Sequence, residues 1–164
     1  MINANETTIS KDPSGKKLIV NRQFNAAPEK VWRAWTESAI LDEWWAPRPW
    51  KTVTKSMDFS EGGRWLYAMT GPAGEEHWCK VDYHTIDAPK KFTALDAFCD
   101  KEGNTSAELP AMHWVVTFEA SGNGTAVVVE VGFDSEADLQ KIVEMGFREG
   151  FTMALGNLDE VLAK

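Results

Sequence analysis

The sequence predicts an α+β domain: one curved antiparallel sheet of about seven strands wrapped around a long C-terminal helix. Three observations predict it. Between Lys51 and Asp134, six β-rich stretches are separated by short Gly, Pro and Asn turns. From Ser135 to the C-terminus, apolar residues recur at helical spacing. That last helix is also the only element long enough to cover the apolar face of such a sheet. With 164 residues, 43% of them apolar, the chain is one domain, able to bury about 70% of its unfolded surface. Residues 1–15 read as a polar N-terminal arm and 16–164 as the domain, in the order β-α-α-β×6-α.

Residues 17–24 form the first strand, ending in the turn Asn25-Ala26-Ala27-Pro28. Pro28 suits the first turn of a helix, where its missing N–H is no loss, and Glu29 meets the positive end of that helix. Val31, Trp32 and Trp35 follow at helical spacing. Ser38 is placed to cap a second short helix bearing Ile40, Leu41, Trp44 and Trp45, stopped by Pro47 and Pro49. Six strands are predicted at 51–59, 64–70, 76–86, 91–99, 112–120 and 125–133. Alternation in Trp65/Tyr67/Met69, Met112/Trp114/Val116/Phe118 and Val127/Val129/Val131/Phe133 makes one sheet face buried and the other wet. Ser135-Glu136 opens the last helix, whose stripe runs from Leu139 to Leu162 unbroken. Seven acidic against three basic residues from Asp134 onward give this segment half of the net charge, read as a solvated outer face.

A net charge of −8, from 17 Lys+Arg against 25 Asp+Glu, argues against nucleic acid and against an anionic membrane surface, since both need a basic footprint. The N-terminus lacks a signal-peptide pattern, and no apolar run approaches the ~18 residues of a spanning helix. Two cysteines fit neither a disulfide scaffold nor a metal site, and the chain is expected to be reduced and cytoplasmic. Cys79 and Cys99 face each other if the turn between their strands has three residues, and lie on opposite faces if it has four. His77, His84 and His113 show no metal-ligand spacing, no nucleophile motif is present, and no catalytic residue, metal or cofactor is assigned.

Eight tryptophans, nearly as many as leucines, point to a use for large rigid aromatic surface. Trp32, Trp35, Trp44 and Trp45 read as structural, and Trp50 and Trp78 have no assignment. Trp65, Tyr67, Met69, Met112 and Trp114 point inward and are candidates to line a pocket for an apolar ligand, the plainer reading being core. Gly146 and Gly150 flank Phe147 and Phe151 on the last helix, where each Gly costs about 1 kcal/mol relative to Ala. Either they leave room for a ligand or they admit bulky sheet residues; the sequence leaves both open. Asp96 shares its strand face with Phe92, Ala94 and Phe98, so burial would raise its pKa and suit it to acid–base work. The preferred reading is that it is hydrated near the strand's end. The longest connection, 100–109, is either a gate over the pocket or simply a polar loop.

The run Ala27-Pro28-Glu29-Lys30-Val31-Trp32-Arg33-Ala34-Trp35-Thr36, with Leu41-Asp42-Glu43-Trp44-Trp45-Ala46-Pro47, resembles the opening of the heat-shock-protein ATPase activator homologues. These lie within the START-like, birch-allergen-like (SRPBCC) superfamily. Asp58-Phe59-Ser60-Glu61-Gly62-Gly63-Arg64-Trp65, Gly71-Pro72-Ala73-Gly74, Asp96-Ala97-Phe98 and Gly146-Phe147-Arg148-Glu149-Gly150-Phe151 extend the resemblance over residues 17–163. It implies a helix-grip fold with a deep cavity between sheet and helix. The leading expectation is a small protein that binds an apolar small molecule, lipid-like or aromatic, in that cavity, without assigned catalysis. The alternatives are a chaperone partner that stimulates an ATPase, and a cyclase- or hydrolase-like enzyme using polar cavity residues.

Overall fold

Eight strands, one more than predicted, form a single antiparallel sheet in the computed structural model, which describes residues 6–164. They are β1 (Thr8–Lys11), β2 (Lys17–Phe24), β3 (Lys51–Met57), β4 (Arg64–Thr70), β5 (Glu76–Asp87), β6 (Lys91–Phe98), β7 (Met112–Ser121) and β8 (Gly124–Gly132). The order across the sheet is β1-β2-β8-β7-β6-β5-β4-β3. The additional strand comes from the polar arm. Thr8 pairs with Asn21 and Lys11 with Leu18, at an edge where three of the four residues are exposed. An edge strand with so little to bury carries no alternation, so periodicity gives it no signal. Residues 1–5 of the arm lie outside the described residues.

Helix α1 (Pro28–Thr36) starts with Pro28 in its first turn, as expected. In α2 (Ser38–Trp44), Ser38 is already helical; Glu37 holds the cap position without a side-chain bond. The Trp44 indole N–H donates to the Ala34 carbonyl at 2.9 Å and ties the two helices together. The last helix is broken into α3 (Glu136–Glu144) and α4 (Phe147–Leu162). Ser135 caps α3, accepting from the Asp138 N–H at 3.1 Å. Between the helices Gly146 takes φ +95°, a left-handed conformation that glycine adopts without steric cost. The apolar stripe continues across the break, which is why spacing alone shows one helix.

The inner face of the sheet, the paired short helices and α4 enclose the core. Trp32, Trp35, Trp44 and Trp45 fill one end of it edge-to-face, with Trp35 and Trp44 ring centres 4.9 Å apart and Trp32 and Phe118 at 5.1 Å. Two bulges shape the sheet. One, between Thr54 and Ser56, interrupts the pairing of β3 with β4. The other, at His84, decides the cysteines: the β5–β6 turn has three residues, pairing Asp87 with Lys91, but the bulge shifts the register so that Cys79 faces Phe98. Cys99 therefore lies on the opposite face, and both thiols are free. The loop after β6 folds back over the outer face, where Cys99 bridges to Thr105 and the buried Lys80 ammonium donates to the Gly103 carbonyl at 2.9 Å. None of residues 100–109 borders the inner cavity, so the loop does not gate it in this structure.

Candidate functional site

At the end of the core away from the paired short helices, sheet and helices part and leave a cavity of about 320 Å³. Its floor is the inner face of the sheet: Tyr67 and Met69 from β4, His77 and Cys79 from β5, Asp96 and Phe98 from β6, Met112 and Trp114 from β7. Its roof is the helix break and its flanks: Ile142, Met145, Gly146, Phe147, Gly150 and Phe151. Trp45, Pro47 and Trp50, where α2 runs into β3, close one side.

The glycines work differently from each other. Gly146 is the left-handed break itself, so no interior-helix cost applies to it. Gly150 is inside α4, and a Cβ built there meets only the Pro47 ring, at 3.7 Å. Open space rather than a bulky sheet residue lies beside it.

Of the eleven residues singled out from the sequence, ten border the cavity and Trp65 does not. Trp65 shares its face with Tyr67 but sits one pleat further toward the closed end. There it stacks on Tyr67 at 4.0 Å and donates its indole N–H to Thr54 Oγ1 at 3.0 Å. Sequence reasoning missed Trp45, Pro47, Trp50, His77, Cys79, Ile142 and Met145 as cavity residues. His77 and Cys79 share parity with the inward Val81, so alternation along β5 would have found them. Trp45, assigned to structure, has both tasks: its indole N–H donates to the Tyr67 hydroxyl at 2.8 Å while its ring borders the cavity. Trp50 packs against His77 at 5.2 Å near the mouth, beside the half-exposed Met145.

Asp96 is 5% exposed, which overturns the expectation that it is hydrated near the strand's end. Its register partners, Val81 on β5 and Met112 on β7, flank it on the inner face of the sheet. Burial alone pushes its carboxyl up to about 7, with no cation or donor pulling it back. Burial likewise raises the Tyr67 and Cys79 protons well above their ordinary values, and the Asp96 charge adds to both. Behind Asp96 a second cavity of about 20 Å³, room for one water, is bordered by Trp35 and Trp114. Their indole N–H groups have no protein acceptor. No cluster of three metal-ligating side chains occurs among the described residues.

The arrangement can hold a molecule of modest size against aromatic and thioether surface and present it with one carboxyl group. Known proteins share this architecture. A crystal structure from Mycobacterium smegmatis superposes with a TM-score of 0.88 at 28% identity, over 96% of this chain and 97% of that one. A solution structure from Arthrobacter aurescens gives 0.89 at 32% identity, over 95% and 91%. An AHSA1 protein from Silicibacter pomeroyi, 21% identical with a TM-score of 0.70 over 90% and 97%, shares the fold. No curated protein matches the sequence. The family model described as Activator of Hsp90 ATPase homolog 1-like protein matches residues 25–163, from the turn before α1 to the end of α4. The chain belongs to that family.

Proposed function

We propose that the protein binds an apolar or aromatic small molecule in the cavity between the sheet and the C-terminal helices. The observation that carries this reading is the space beneath Gly146 and Gly150. It has a volume of about 320 Å³, inside the usual range of small-molecule sites, and is walled by the rings of Trp45, Trp114, Phe147 and Phe151. Its walls include Met69, Met112 and Met145, whose flexible thioethers adapt to ligand shape. With both cysteines free, the proposed setting is a reducing cytoplasm.

The test is uptake of N-phenyl-1-naphthylamine, a neutral dye that brightens in apolar surroundings. Wild-type protein is expected to bind it with saturation. Gly150→Leu is expected to weaken binding at least tenfold while leaving the melting temperature unchanged or higher, because the new side chain fills the cavity and removes a helix-interior glycine. Equal dye binding by both proteins would place the ligand elsewhere. The family description favours a second reading, a chaperone ATPase as partner. It predicts a rise in Hsp90 ATPase rate on addition of the protein, and an unchanged rate removes it.

A further inference from the structure

Asp96 poses a problem that a purely apolar ligand leaves unanswered. A buried carboxylate is ordinarily matched by a cation or by several donors, because an unpaired charge in an apolar site is costly. Nothing packed around Asp96 supplies that match. From the sheet it is faced by Tyr67, Cys79 and Tyr83, each holding its proton more tightly than usual because of burial. From α1 and α2 come Trp35, Leu41 and Trp45, and from the roof Ile142, Phe147 and Phe151, none of them ionisable. The one other ionisable side chain on the cavity wall is His77, exposed at the mouth, and among the described residues no Lys or Arg borders either cavity. Among the described residues nothing supplies a counter-charge for Asp96, which leaves that task to a proton or a ligand.

The rest of the wall favours a cation as well. Trp45, Trp114 and Phe151 have ring centres 5.5–6.0 Å apart and border the same space as Asp96, and aromatic faces attract cations that have lost their water. The chain's net charge of −8 draws the same sign of ligand toward the mouth. Resting on the cavity-binding reading above, we propose that the cavity selects a protonated primary amine on an apolar or aromatic body, with its ammonium group paired to Asp96. Where Asp96 starts protonated, the entering ammonium displaces that proton to solvent. A neutral ligand of the same shape leaves the carboxyl unmatched.

Calorimetric titration with 2-naphthylmethylamine and its isostere 2-naphthylmethanol tests this. At pH 8 the amine is expected to bind at least tenfold more tightly than the alcohol. At pH 5.5 its affinity is expected to fall about thirtyfold, as a group titrating near pH 7 requires, with proton release that scales with the buffer's ionisation heat. Asp96→Asn is expected to abolish both the preference and its pH dependence while still binding the alcohol, which shows that the variant is folded. A pH dependence surviving in that variant overturns the assignment. Equal affinity of amine and alcohol for the wild type overturns the amine proposal and leaves the cavity reading standing. If neither naphthyl compound nor the neutral dye binds, the cavity reading falls with it. Should Asp96→Asn not fold, the wild-type amine-to-alcohol ratio at the two pH values decides alone: a constant ratio rejects the proposal.

Discussion

Asp96 is where a single residue has most influence on the chemistry of this molecule. Because its carboxyl is raised to about 7 in the folded chain and is near 4 when unfolded, the native state holds an extra proton between those values. Stability is therefore greatest below pH 4 as far as this group is concerned, falls as pH rises to about 7, and is flat above it. The fall is on the order of 4 kcal/mol. Urea unfolding of wild type and Asp96→Asn across pH 4 to 8 should give a difference that changes by roughly this amount over that window. A constant difference would show that the carboxyl is hydrated in solution. The sequence suggested both environments for Asp96, and its neighbours Phe92, Ala94 and Phe98 were the correct guide. What it lacked was the neighbouring strand: that Met112 stands beside Asp96, and Trp114 beside Ala94, depends on a cross-strand register no single strand reveals.

At the scale of elements, the break between α3 and α4 shapes the site. Gly146 has φ +95°, a conformation costing an L-residue about 1–2 kcal/mol, although a Cβ there would meet no other atom. Gly146→Ala should therefore lower stability by about that amount through backbone strain alone, measured by thermal or urea unfolding. Gly150→Ala, inside α4 with only Pro47 near, should raise it by about 1 kcal/mol. If the two substitutions behave alike, the helix is continuous in solution. The pair also shows where sequence reading succeeds and fails. Six strands of the meander were legible to within about two residues, because turn chemistry and alternation act locally. The helix break was not, because a glycine on an apolar stripe looks the same whether it sits inside a helix or ends one. Trp45 illustrates a third case. Its place on a short helix made it look structural, and only the packing of α2 on the sheet brings its ring to the cavity.

For the whole molecule, occupancy and stability are linked. A ligand bound only by the folded state, at about one hundred times its dissociation constant, adds about 2.7 kcal/mol. For a domain of this size that corresponds to a rise of roughly 5–11 °C in the melting temperature. The rise should appear with 2-naphthylmethylamine at pH 8 and shrink both at pH 5.5 and in Gly150→Leu. A thermal-shift series over those conditions reads all three from the same protein. Among the described residues, no helix is long and apolar enough to cross a membrane.

The open sheet leaves two borders, β1 and β3, where unpaired backbone groups would invite a strand from another chain. On β3 the exposed Val53 makes that invitation stronger. The bulge between Thr54 and Ser56 answers it, since an irregular border offers a newcomer no continuous ladder. Lys51 and Lys55, on either side of Val53, add charge that must be desolvated before any copy docks. The irregular border at β3 thus disfavours pairing with a strand of another chain.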